Sequence, residues 1–162
     1  MENQSFTATL LVSQTPEEVF AAVTNPRAWW SEEIEGGTAK LNDEFYYHYR
    51  DVHRCTMKLV EVIPGKKVVW HVLDNYFSFT EDQAEWKDTR PTFEISKEGD
   101  KTRLRFTHQG LVPSHECYEI CHNAWTNYIT SSMYDLITTG KGRPNTKEGN
   151  EFETTRPDRV SS

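Results

Sequence analysis

From Tyr118 onward the apolar residues recur in steps of three and four: Tyr118, Cys121, Trp125, Tyr128, Ile129, Ser132, Met133, Leu136 and Ile137. That period marks one side of an α-helix, so the spacing predicts a single long amphipathic helix that must bury one face. Ser114 suits its N-cap, Glu116 its first turn, and Gly140 stands where a C-cap glycine belongs. A helix this long needs a surface to lie against. The preceding chain supplies one, because its hydrophobic period there is two.

Strands follow one another at short spacing up to His108. In "DEFYYHYR" Phe45, Tyr47 and Tyr49 alternate with Tyr46, His48 and Arg50, so the two sets point to opposite faces. His48 and Arg50 are expected in solvent, and Asp51 to His53 is read as the turn into the next strand. "CTMKLVEVI" alternates around Met57, Leu59 and Glu61; "PGKK" is a hairpin turn leading into "VVWHVL". "TFEIS" and "TRLRFTH" form a second hairpin across "KEGDK", with Phe93, Ile95, Leu104, Phe106 and His108 inward and Glu94, Arg103 and Arg105 in water. The aromatic stretch from Asp74 to Thr89 reads as a bulged strand or a loop packed over a cavity mouth. Upstream, "SFTATLLV" is a strand with Phe6, Ala8 and Leu10 on one face. "TPEEVFAAVTNP" is a helix capped by Thr15, started at Pro16, and stopped by the pre-proline Asn25. "PRAWWS" adds a short turn with Trp29 and Trp30, and Gly36-Gly37 breaks the chain. A first strand, a short helical pair, antiparallel strands and one long helix make an α+β order, in which a curved sheet wraps the last helix. The expected organisation is one domain over residues 1–140, with a polar, loosely attached tail at 141–162.

The composition narrows the partners. A net charge of -7 without a basic cluster speaks against a nucleic-acid backbone. No window approaches the apolar length of a membrane span and the start lacks a signal-peptide pattern, so a cytoplasmic chain with no membrane insertion is expected. Three cysteines, an odd number, fit reduced thiols better than a disulfide framework. The 12% aromatic content, with five Trp, seven Tyr and eight Phe, exceeds what a core of this size needs and suggests a lined cavity.

Two chemical constellations merit weighing. "HECYEICH" sets Cys117 and Cys121 one helical turn apart between His115 and His122, but the spacing is no zinc knuckle and lacks a second ligand pair. Small buried hydrophobes are the plainer reading, and neither a metal nor another cofactor is expected. Glu61, Glu85 and His108 could meet inside the cavity, where a buried carboxylate beside a histidine would be perturbed, and of these Glu61 and His108 are kept as acid/base candidates.

Several stretches in order, "TPEEVFAAVTNPRAWW", "EVIPGKKVVW", Glu85-Trp86, "TRLRFTHQGLVP" and "AWTNYITSSMYDLITTGKGRPN", resemble the START-like helix-grip superfamily (SRPBCC). Within it the chain is most similar to the branch named after the heat-shock protein 90 ATPase activator. The resemblance covers about Phe6 to Asn145. It implies the helix-grip fold: a curved antiparallel sheet around a long carboxy-terminal helix, with two short helices after the first strand and a gap between helix and sheet. Superfamily members include lipid, sterol and hormone carriers, polyketide cyclases and co-chaperone domains. The activator itself has a separate amino-terminal chaperone-binding domain, for which this chain has no room.

The leading expectation is therefore binding of a small hydrophobic or aromatic molecule in a cavity of several hundred Å3. Its walls are assigned to Trp30, Tyr47, Tyr49, Met57, Trp70, Phe79, Trp86, Phe93, Phe106, His108, Trp125 and Tyr128, with Tyr49, His108 and Tyr128 as polar handles. The alternative is a co-chaperone-like interaction domain with a chaperone as partner; a cyclase or hydratase using Glu61 or His108 comes third.

Overall fold

The computed structural model describes residues 5–49, 53–78, 81, 86–112 and 118–144. Seven strands, β1 (Phe6–Val12), β2 (Glu35–Gly36), β3 (Glu44–Tyr49), β4 (His53–Ile63), β5 (Lys67–Phe77), β6 (Arg90–Glu98) and β7 (Lys101–Gln109), form one antiparallel sheet. Their order is β1-β7-β6-β5-β4-β3-β2. The first strand pairs with the last, from Phe6 opposite His108 to Val12 opposite Thr102. Gly36, expected only to break the chain, lies in β2 opposite Phe45. Its φ of 108° and the carbonyl of Glu44, 2.4 Å from where a Cβ would stand, admit glycine alone.

Helix α1 (Pro16–Val23) begins where the sequence places it. Thr15 accepts the Glu18 N–H at 3.1 Å while Glu18 accepts the Thr15 N–H at 2.9 Å, a complete capping box. A 3-10 turn (Pro26–Ala28) follows, and Trp29 and Trp30 beyond it are fully buried. Trp29 Nε1–H donates to the Ala22 carbonyl at 2.9 Å, fixing the turn to α1.

Helix α2 (Tyr118–Asn127), a π-helical turn (Tyr128–Met133) and helix α3 (Tyr134–Thr139) run continuously for 22 residues. The long amphipathic helix stands as expected, with one wider turn inside it. In the wider turn Tyr128, Ile129, Ser132 and Met133 are all buried, two adjacent pairs that a π segment brings to one side. Gly140 ends the helix in the left-handed conformation at φ 89°, as its position predicts. Ser114 and Glu116, assigned to the helix start, lie outside the described residues. Residues 141–144, read as tail, lie against the helix: Gly142 is buried, and Arg143 reaches Asp135 at 3.1 Å.

Two register shifts bend the β4–β5 pair, between Thr56 and Met57 and between Leu59 and Glu61. Each leaves one residue unopposed, which raises local twist and reverses the side-chain phase beyond it. The first, at Leu73 on β5, turns Asn75 and Phe77 inward after Trp70 and Val72. The second, at Val60, releases Glu61 from the inward set. β5 and β6 pair only at Lys67–Glu94, Val68–Phe93 and Val69–Thr92. Beyond that point the turn carrying Trp86 bonds to β5 instead, through Val72 N–H to Thr89 O at 3.0 Å and Asp88 N–H to Val72 O at 2.8 Å. Among the described residues no helix is long and apolar enough to cross a membrane.

Candidate functional site

The interior between sheet and helix divides into a filled part and a cavity. Trp29, Trp70, Phe45 and Phe93 fill one side in ring contacts: Trp29 lies parallel to Trp70 at 6.3 Å, and Phe45 and Phe93 meet Trp70 edge-on at 5.0 and 4.9 Å. Toward α2 the packing opens. Trp30, Tyr47, His53, Phe77, Trp86, Ile120, Cys121, Ala124, Trp125 and Tyr128 line a cavity there. Trp86 and Trp125 face each other nearly parallel at 5.7 Å and 10°, and Tyr47 stacks on Trp30 at 4.2 Å.

The enclosed space is smaller than the sequence suggests. The empty volume is about 360 Å3 counted with the open mouth, but only about 20 Å3 of it admits the centre of a water molecule. That is room for one water, so the expectation of a ready-made cavity of several hundred Å3 is corrected. Tilted and edge-to-face contacts let large rings interlock, as between Trp30 and Trp125 at 5.3 Å and 45°.

Of the residues assigned to the walls, Trp30, Tyr47, Trp86, Trp125 and Tyr128 line the cavity. Met57, Trp70, Phe93 and Phe106 are fully buried but belong to the filled core. Tyr49 lies on β3, but its side chain, like Phe79, Glu85, His115 and Cys117, is outside the described set. The sequence reading missed His53, Phe77, Ile120, Cys121 and Ala124. His53, expected in a turn, is the first residue of β4. It shares the parity of Cys55, Met57 and Leu59, which was the signal available. Phe77 had no such signal, because the bulge at Leu73 resets its phase. His48 does point outward, but it is half-buried rather than free in water: it stacks on Tyr46 at 6.0 Å and its Nε2 is 3.5 Å from Glu33.

Glu61 and His108 do not meet. Glu61 lies at the far end of β4, 43% exposed and 3.6 Å from Lys67 Nζ. His108 is fully buried behind the cavity wall. Its Nδ1 accepts the Trp125 Nε1–H at 3.0 Å. Because indole N–H can only donate, the proton of the neutral ring sits on Nε2, which donates to Thr89 Oγ1 at 2.7 Å. Thr89 passes its own proton to the Trp86 carbonyl at 2.5 Å. One chain of bonds thus ties α2, β7 and the Trp86 turn together and sets both facing tryptophans. His108 holds the wall instead of reaching through it.

The cavity itself is uncharged. Burial holds His53 at a pKa of about 3, only partly offset by its Nε2 bonding Asn75 Oδ1 at 3.0 Å. Burial also pushes the Tyr47 hydroxyl well above its usual range; it is hydrogen-bonded to Tyr128 and Trp30. The Cys55 thiol, buried behind Tyr47 on β4, is raised for the same reason. The indole N–H of Trp86 is buried and has no partner. Among the described residues no group of three or more His, Cys, Asp or Glu is placed to hold a metal; Cys121 faces the cavity, while the His122 ring meets Phe6 edge-on at 5.0 Å.

A curved antiparallel sheet gripping a long terminal helix, with a cavity between them, defines the START-like helix-grip class. Residues 13–138 match the family described as Activator of Hsp90 ATPase homolog 1-like protein, and the chain belongs to that family. Among solved structures it is similar to the Aha1 dimer from Colwellia psychrerythraea, with a TM-score of 0.68 and 21% identity over 85% of this chain and 98% of that one. It is also similar to DynU16, a putative protein in the dynemicin biosynthetic locus, with a TM-score of 0.61 and 15% identity over 86% of this chain and 49% of that one. CalU16 from Micromonospora echinospora gives a TM-score of 0.58 and 15% identity over 83% of this chain and 76% of that one. At these identities the likeness is one of fold. No curated protein matches the chain by sequence.

Proposed function

We propose that the protein binds a small, flat, uncharged molecule in the cavity between α2 and the sheet. The observation that carries this reading is the lining: six aromatic side chains and a neutral histidine around a space with an open mouth. Such a surface gains by covering apolar area, about 25 cal/mol per Å2, and repels charge. The closed form leaves space for one water, so a ligand enters only as α2 moves outward. The rest of the structure is compatible with that motion. Besides Trp125, the cavity face of α2 carries the modest Ile120, Cys121 and Ala124, and the π turn after it is a natural place for the helix to flex. Naphthalene, which is flat and uncharged, tests the reading. It is expected to raise the melting temperature of the wild type by a few degrees, and to leave Ala124→Phe, whose added ring fills the cavity, unmoved. No stabilisation of the wild type would overturn it.

Family membership favours a second reading, a co-chaperone-type interaction domain with heat-shock protein 90 as partner and a working surface outside the fold. Stimulation of ATP hydrolysis by purified heat-shock protein 90, undiminished in Ala124→Phe, would replace the first reading with this one. A cyclase or hydratase built on Glu61 and His108 loses its geometric basis, because the two stand apart.

A further inference from the structure

We infer that the cavity selects a planar molecule carrying one hydroxyl group, read jointly by His53 and Trp86. This rests on the cavity-binding reading above and adds a polar specificity to it. Both residues line the cavity, their rings meet edge to face at 4.7 Å, and they are 9% and 4% exposed. His53 spends its Nε2 on Asn75 Oδ1, at 3.0 Å. With an amide oxygen as partner, Nε2 carries the proton and Nδ1 is left as a lone-pair acceptor. Burial keeps the ring neutral, so this acceptor persists across the whole ordinary pH range. Trp86 supplies the complement, an indole N–H that is buried and unpaired.

Buried polar groups are nearly always paired, and an orphaned donor costs about 1–3 kcal/mol. Here an unpaired donor and a lone-pair acceptor stand on touching rings at the same cavity wall. The smallest single group that satisfies both is a hydroxyl: its proton goes to His53 Nδ1, and its oxygen accepts Trp86 Nε1–H. The indole has no hydrogen bond to give up as its ring adjusts to an incoming oxygen. An ether or carbonyl serves only Trp86, and a hydrocarbon serves neither. Asn75 takes part as a positioning residue, since it fixes the histidine tautomer that makes Nδ1 an acceptor.

The test compares naphthalene, 2-methoxynaphthalene and 2-naphthol by calorimetric titration against the wild type, His53→Phe and Trp86→Phe. The wild type is expected to bind 2-naphthol about tenfold more tightly than naphthalene, with 2-methoxynaphthalene between them. In His53→Phe the advantage of naphthol over its methyl ether disappears, and in Trp86→Phe the ether falls to the level of naphthalene, each ratio being read within its own variant. Equal binding of all three probes by the wild type overturns the inference and leaves the apolar cavity standing. Persistence of the naphthol preference in His53→Phe overturns the assignment to His53. Failure of every probe to bind overturns both this and the cavity reading. Should the variants not fold, the comparison of naphthol with its methyl ether on the wild type alone decides.

Discussion

The two ends of the terminal helix are closed by different means. From the π turn toward α3 the closure is made by one buried hydroxyl and by backbone. Ser132 Oγ donates to the Trp29 carbonyl at 2.8 Å and accepts the Arg143 N–H at 2.7 Å, and Gly142 passes so near that a Cβ there would stand 2.4 Å from the Ala28 carbonyl. At the α2 end large rings meet across residual space, and side-chain bonds from Trp125 to His108 and between Tyr128 and Tyr47 tie the helix to the sheet. Backbone contacts of the first kind have a single arrangement. Ring contacts of the second kind can be re-made at other angles, so the opening that the proposed ligand requires would fall at the α2 end.

Variants at the two ends sharpen this contrast. Trp125→Ala should have the largest effect, about 3–5 kcal/mol by urea unfolding, because it removes a buried ring that touches Trp30, Trp86 and Phe106 and orphans His108 Nδ1. Acid should act next. With the His53 pKa held near 3 against about 6.5 when unfolded, the unfolded chain binds the extra proton between these values. Its contribution to stability is intact above about pH 6.5 and is lost at about 1.4 kcal/mol per unit as the pH falls toward 3. His53→Phe should flatten that part of the profile, and an unchanged slope would show that the ring is not buried.

Smaller changes separate the ends most cleanly. Gly142→Ala forces backbone apart at the sealed end and should cost about 1–3 kcal/mol with naphthalene affinity unchanged. Trp125→Phe keeps a ring but breaks the bond to His108. It should cost a similar 1–3 kcal/mol while speeding naphthalene entry in stopped-flow measurements, since the closed form is what it weakens. Equal entry rates in the two variants would erase the distinction between the ends. Thr15→Ala, remote from both, should cost only about 1 kcal/mol through its capping box and leave binding alone.

Much of this is legible in the residue order. The capping box at Thr15, the hairpin at Pro64-Gly65, the inward set from Phe93 to His108 and the stop at Gly140 all stand as the spacing predicts. Each rests on interactions within a few residues or across one turn. The candidate site is less legible. Trp30, Tyr47, Trp86, Trp125 and Tyr128 are found by their aromatic character, whereas Phe77 and Asn75 depend on a bulge whose position only the pairing of β4 with β5 fixes. Glu61 fails as an acid/base candidate for the same reason, since strict alternation carries it inward past the shift at Val60.

The sequence by itself determines that a period-two sheet must wrap a period-3.6 helix, because periodicity is local and hydrophobic burial acts on it directly. The tertiary structure alone decides how much room remains between them. Ring volumes set how much must be packed, but the angles at which rings interlock depend on neighbours far apart in the chain. So does the hydrogen bonding of each ring: His108, the sequence's polar handle, is consumed by Trp125 and Thr89, while His53, read as part of a turn, stands at the cavity.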